Sequence, residues 1–158
     1  MRPSYGKDGL CVLLNIMVNA FAWTAIQITL ALIAQRVSSR HFDITVSGWE
    51  RNGQFYHSLG VRAWKDRLPD AGSWLPGGFG KRRLCGRSFA ELECFAREAR
   101  RGELVHWSAI AALPLFTLWN SWPGMFVNAA YAIAANLPCI IAQRYNRARI
   151  ARVLRRSP

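Results

Sequence analysis

The sequence predicts an all-α membrane protein with about three transmembrane helices, and three observations lead there. Half of the 158 residues are hydrophobic (51%), although the chain carries a net charge of +12. The two classes are segregated, because residues 9–34 and 104–142 contain no Lys, Arg, Asp or Glu. Arginines flank these stretches, and the tail after Gln143 holds six arginines and no acid. A soluble domain intersperses apolar and charged residues along each element, whereas a bilayer demands their separation. The length fits one domain. Residues 1–158 therefore read as a single membrane domain, with spans at about 9–34, 104–119 and 125–142, a cytoplasmic region at 35–103 and a basic tail at 143–158.

The first apolar stretch, 9–34, measures roughly 39 Å as a helix, enough to span with tilt. A cleaved signal peptide behind Arg2 and Lys7 is the competing reading. The stretch is long for that, and Leu32 stands where a small residue is wanted before a cleavage site at Ala34, so retention is expected. Region 35–103 is too rich in Trp and Phe for a disordered linker. Ser47 and Glu50 fit a capping box that opens a short helix through Trp49 and Tyr56, stopping near Gly60. Turns are expected at 68–72 and 76–78. Ser88 and Glu91 form a second capping box, and Phe89, Leu92, Phe95 and Ala99 recur at helical spacing, so an amphipathic interfacial helix precedes the second span. Pro114 should kink that span, and Pro138 should bend or break the third. Between them, Trp119 to Gly124 is an uncharged turn with interfacial aromatics.

The loop between the second and third spans is uncharged, and arginines flank both of their far ends. The positive-inside rule then puts region 35–103 and the tail in the cytoplasm and the N-terminus outside, in a multi-pass protein of the cell membrane. Because the basic residues border apolar spans, anionic lipid head groups or a phosphate-bearing substrate suit them, and nucleic acid is not expected as a partner. Cys11, Cys85, Cys94 and Cys139 form no C-x-x-C pair, and neither a metal site nor a disulfide framework is implied.

Three constellations can carry chemistry. In the first, Arg101, Glu103, His106 and Trp107 cluster at the cytoplasmic end of the second span. Glu103 and His106 share a helix face, so the carboxylate is expected to orient the imidazole as a general base; an interfacial His-Trp anchor is the alternative. In the second, Asn136 lies inside an apolar span, where a buried amide needs a partner on another helix. Gln143, Arg144, Tyr145, Asn146 and Arg147 follow it as a mixed run, more particular than a charge anchor requires, whereas Arg152, Arg155 and Arg156 suit a topology signal. The third, Arg62, Trp64, Lys65 and Asp70 with Lys81 beyond a Gly-rich turn, suits either an anionic head group or an ordinary surface loop. No His is followed five positions on by Asp, as the glycerolipid acyltransferase signature requires, and there is no G-x-S-x-G, Walker or H-E-x-x-H motif. His41 and His57 read as structural.

The run from Arg101 through Glu103 to His106 and Trp107, the Tyr131…Asn136-x-Pro138 span, Gln143-Arg144-Tyr145-Asn146-Arg147-x-Arg149, and Arg62-x-Trp64-Lys65 with Leu68 and Asp70 together resemble the glycosyl-4,4'-diaponeurosporenoate acyltransferase family. These small bacterial membrane proteins are named for the last step of a staphyloxanthin-type carotenoid pathway, in which a fatty acyl group is placed on a primary hydroxyl of a glucose esterified to a carotenoid acid. The resemblance covers about residues 49–149 and implies an acyltransferase that acts on a glycosylated isoprenoid or similar lipid. On that reading His106, oriented by Glu103, deprotonates the acceptor hydroxyl, and Arg144 and Arg147 with Asn136 or Gln143 hold the donor's polar head or the oxyanion. No bound cofactor is implied; the acyl donor, a co-substrate, is acyl-CoA, acyl-carrier protein or a phospholipid. Three spans make a thin scaffold, so a homo-oligomer or a partner enzyme is expected to help enclose the site. A non-enzymatic lipid-binding or accessory subunit is the alternative.

Overall fold

The computed structural model describes residues 5–68 and 88–156. All of the regular structure among these residues is helical. The helices are α1 (Tyr5–Arg36), α2 (Gln54–Ser58), α3 (Val61–Trp64), α4 (Phe89–Ala111) and α5 (Trp122–Leu154), with short 3₁₀ stretches between them. The expected turns at 68–72 and 76–78 fall wholly or largely outside the described residues, as do Asp70, Lys81 and Cys85.

Among the described residues two helices are long and apolar enough to cross a membrane, Gly9–Arg36 and Trp122–Leu154. Only 6% of the apolar window of the first is buried against the rest of the chain. Leu10, Val12, Leu13, Ile16, Met17 and Phe21 all face outward. A core helix of a soluble protein would bury that surface, so its solvent is lipid and the chain is membrane-associated.

The expected second span is not one helix. Its first residues are the end of α4, which runs unbroken from Phe89 to Ala111, so the expected interfacial helix and the start of the expected span are one continuous helix. After Ala112 the chain tightens into a 3₁₀ helix, Leu113–Leu118, with Pro114 in its first turn. Proline supplies no N–H and disfavours the α conformation at the residue before it, which is why α4 stops there. The Ser88 cap is present as expected: its side chain accepts from the Glu91 N–H, and the Glu91 carboxylate accepts from the Ser88 N–H.

α5 departs from expectation in the other direction. Pro138 neither breaks nor ends it, and the helix continues through the arginine run to Leu154. A proline removes one hydrogen bond from a helix, and packing on both sides of that point can preserve continuity. At 33 residues α5 is about 50 Å long, well beyond a ~30 Å hydrocarbon core. The expected helix after Ser47 is also different. A 3₁₀ helix, Gly48–Gly53, gives way to α2 at Gly53, whose φ of 91° interrupts α geometry. Gly53 lies against α5 near Ala148 and Arg149, and a side chain would be strained at that φ. This segment is thereby held beside the arginine-bearing half of α5.

α4 packs antiparallel along α5, and α1 runs parallel to α5. The pairings establish both directions: Glu103 meets Arg144 and Arg147 whereas His106 meets Asn136, and Asn19, Trp23 and Gln27 meet Asn120, Asn128 and Asn136 in turn. The end of α1 is tied to α4 by Arg97, which donates to the carbonyls of Arg40 and Phe42, and by Arg101, which donates to that of Val37. An apolar cluster of Trp23, Phe116 and Ala132 fills the space between the helices, with Trp23 stacked on Phe116 at 4.4 Å.

Candidate active site

A helix inside a membrane satisfies its own backbone, so polar side chains must find partners on neighbouring helices. Here they do so in rungs. Asn19 and Asn120 exchange amide hydrogen bonds at 3.0 and 2.9 Å, and Trp119 Nε1 also donates to Asn19. Deeper along the seam, Trp23 Nε1 donates to Asn128 Oδ1 at 2.9 Å. The third rung is Gln27, Asn136 and His106, which joins three helices: Gln27 Nε2 lies 3.1 Å from Asn136 Oδ1, and His106 Nδ1 lies 2.9 Å from the same oxygen.

This rung fixes the state of the imidazole. Asn136 Nδ2 donates to the Ala132 carbonyl at 2.9 Å, which aims Oδ1 at His106. An amide oxygen only accepts, so Nδ1 carries a proton, and in the neutral ring the lone pair is at Nε2. Among the described residues no hydrogen bond to Nε2 is made. The ring is thus set up as a base at one defined atom.

Glu103 does something other than expected. Its carboxylate, fully buried, is not the partner of His106. It accepts from Arg144 Nε at 2.7 Å and from Arg147, and Arg100 approaches at 3.0 Å. The reason is charge. Two guanidiniums from α5 match a buried carboxylate far better than a neutral imidazole one turn along the same helix. Asn136, not Glu103, orients His106. Asn136 accepts the His106 and Gln27 bonds through Oδ1 and gives one N–H of its NH₂ to the Ala132 carbonyl, which leaves its second N–H as a donor.

The two arginines differ. Arg147 is buried at 3% exposure, and its Nε has no hydrogen-bond partner in the described structure. Arg144 keeps 26% of its side chain exposed and lies 5.8 Å from the ring of Trp49. It also lies beside Tyr56. Tyr56 donates to the buried Glu50 at 2.5 Å, and Glu50 accepts from the Ser47 N–H at 2.8 Å. Burial first, and then the Glu50 carboxylate, push the Tyr56 phenol above its ordinary range, so it remains a neutral donor. A continuous chain of contacts therefore runs from Ser47 through Glu50, Tyr56 and Arg144 to Glu103 and Arg147.

Of the other expected site residues, Gln143 lies directly over Gly102, where a Cβ would come within 3.0 Å of its Nε2. Tyr145 is buried with Tyr56 and Val61, and Trp64 packs on this group. Asn146 is half-buried on α5. Four residues stand apart from the seam's polar contacts. Arg62 is exposed on α3, Lys65 pairs with Asp66, Arg101 pairs with Glu98 at the end of α1, and Trp107 faces outward. Gln27, Glu50, Tyr56 and Arg100 were not foreseen as site residues. The signal for Gln27 was present in the polar series Asn15, Asn19, Trp23 and Gln27, spaced by four in a charge-free helix. Among the described residues no cluster of His, Cys, Asp or Glu could hold a metal ion.

Residues 39–156, which hold α4, α5 and all of this site except Asn19, Trp23 and Gln27, match the family model described as glycosyl-4,4'-diaponeurosporenoate acyltransferase. The chain belongs to that family. Proteins of the same name from Staphylococcus haemolyticus strain JCSC1435 and Staphylococcus aureus strain USA300 are both 31% identical to it. The first alignment spans 87% of this chain and 82% of the relative, the second 84% of each. No solved structure matches. Membership in the glycosyl-4,4'-diaponeurosporenoate acyltransferase family makes the chain an acyltransferase and associates it with carotenoid biosynthesis.

Proposed function

We propose that this protein moves a fatty acyl group onto a primary hydroxyl of a glycosylated carotenoid-type lipid at the cytoplasmic boundary of the membrane. The observation that supports this most is the imidazole of His106, held by Asn136 with its lone pair at Nε2. In the proposed reaction Nε2 takes the hydroxyl proton as the oxygen attacks the acyl carbonyl. When the tetrahedral intermediate collapses, the bond to the donor's leaving group breaks and the imidazolium returns its proton to that group. Arg144, partly exposed above Trp49, suits a phosphate-bearing donor. Acyl-CoA, acyl-carrier protein and phospholipid all carry phosphate, so the three share this chemistry. Membrane lipids are the surrounding partners, and a homo-oligomer or partner enzyme would complete the enclosure. Lipid extracts from cells with and without the gene test the function. The expected result is a glycolipid species heavier by one acyl group only when the gene is present, and identical lipid profiles would overturn it.

The proposed topology has α1 and α5 crossing, with the N-terminus outside and the tail inside, and the second half of α4 returning beside α5 as a third pass. Measured along α5 from Trp122, Asn136 lies at about 21 Å and Arg144 at about 33 Å. That depth would set His106 within the inner part of the hydrocarbon and the Glu103 cluster at its boundary. Cys94, on the first half of α4, should resist a membrane-impermeant maleimide in intact cells and react after permeabilisation. Ready labelling in intact cells would invert this topology.

A further inference from the structure

The match to the family model begins at residue 39, after the end of α1, although the alignments to the two relatives cover more of the chain. Yet α1 reaches the centre of the site. The Oδ1 of Asn136 has two lone pairs, and two donors face it: His106 Nδ1–H from α4 and Gln27 Nε2–H from α1. Asn136 is completely buried. An amide in such a place can sit either way round, and its two orientations have opposite consequences for the histidine. With oxygen toward His106, Nδ1 must carry the proton and Nε2 is a base. With nitrogen toward His106, Nδ1 must accept, the proton moves to Nε2, and the base is lost. In the observed arrangement, turning Asn136 over would point its NH₂ at the NH₂ of Gln27 and its oxygen at the carbonyl of Ala132. Both encounters are unfavourable around a fully buried amide.

We propose that Gln27 is a positioning residue, which adds to the hold of the Ala132 carbonyl on the Asn136 amide, keeps its oxygen toward His106 and so keeps the imidazole lone pair at Nε2. The first helix is then a working part of the site, beyond any role as an anchor. This inference rests on His106 acting as the general base, and the experiment separates the two ideas.

The full-length protein, ¹⁵N-labelled at histidine and reconstituted in nanodiscs, should show His106 as the Nδ1–H tautomer by its ring nitrogen shifts. Gln27→Leu should raise the Nε2–H fraction, with Gln27→Met as the second variant should Leu fold poorly. In acyl transfer, kcat per folded molecule should fall about 10- to 100-fold with KM unchanged, the scale typical of a residue that orients a reactive side chain. Asn136→Ala should be as impaired whether Gln27 is native or replaced, because Gln27 acts through Asn136. A wild-type tautomer in both Gln27 variants, or losses that add with Asn136→Ala, would overturn the proposal. If Gln27→Leu shifts the tautomer while His106→Gln still transfers acyl groups, the positioning stands and the general-base assignment fails instead.

Discussion

Replacing His106 by Gln should leave a folded, extractable protein that has lost acyl transfer by about 10²–10⁴-fold, the usual contribution of a positioned proton-transfer group. Glutamine keeps a donor in reach of Asn136 Oδ1, so the hydrogen bond at 2.9 Å that ties α4 to α5 at this level survives in kind. What it lacks is a basic lone pair. The measurement is transfer per folded molecule over a pH series, with donor and acceptor saturating. Wild-type turnover by His106→Gln would remove the general base and leave a lipid-binding role for the seam. A fall in yield and melting temperature, with activity dropping only in proportion, would make His106 a packing residue.

Glu103→Gln should do the opposite, costing stability before it costs chemistry. The carboxylate is fully buried, it holds Arg144 and Arg147, and Arg147 is nearly as buried as Glu103 itself. Removing the only carboxylate among these contacts strands a buried guanidinium, a defect worth about 3–5 kcal/mol. Thermal unfolding in detergent is the direct probe, and a markedly lowered midpoint is expected. Combining Glu103→Gln with Arg147→Met should recover part of the loss, since the stranded charge is then gone. A Glu103→Gln protein as stable as wild type, but catalytically silent, would return the carboxylate to the reaction.

These two residues also show how far the sequence could be read. The i, i+3 spacing of Glu103 and His106 was visible and suggested a pair. The pair does not form, because spacing along one helix says what can meet but not what competes. The competitors, Arg144 and Arg147, lie about forty residues away and bring full charges. Asn136 was expected to need an interhelical partner, and it has two. Their identity depended on how three helices align, which no local pattern encodes. The Ser88 cap was legible because every atom of it lies within four residues. That residues 104–119 are not one helix has a related reason. An absence of charge from 104 to 119 marks apolar surface, whereas Pro114 decides where the helix hydrogen bonds stop. Glu50 and Tyr56 escaped notice as site residues because their link to Arg144 crosses from a loop to a distant helix.

The amide rungs between α1 and α5 have a consequence for how the protein is made. α1 leaves the ribosome with Asn19 and Gln27 in a stretch bound for lipid, and their partners Asn120 and Asn136 follow 101 and 109 residues later. At roughly 5–20 residues per second, that delay lasts about 5–22 seconds. During it the first helix must shelter several unmatched amides, at the edge of the insertion machinery or against some other membrane protein. α5 then arrives with Asn128 and Asn136 complementary to what α1 has been holding open. Nascent chains arrested before residue 120 would carry an α1 that is still unpaired. Its lifetime in the membrane should depend on what shields it, whereas chains long enough to present Asn136 should carry their own remedy.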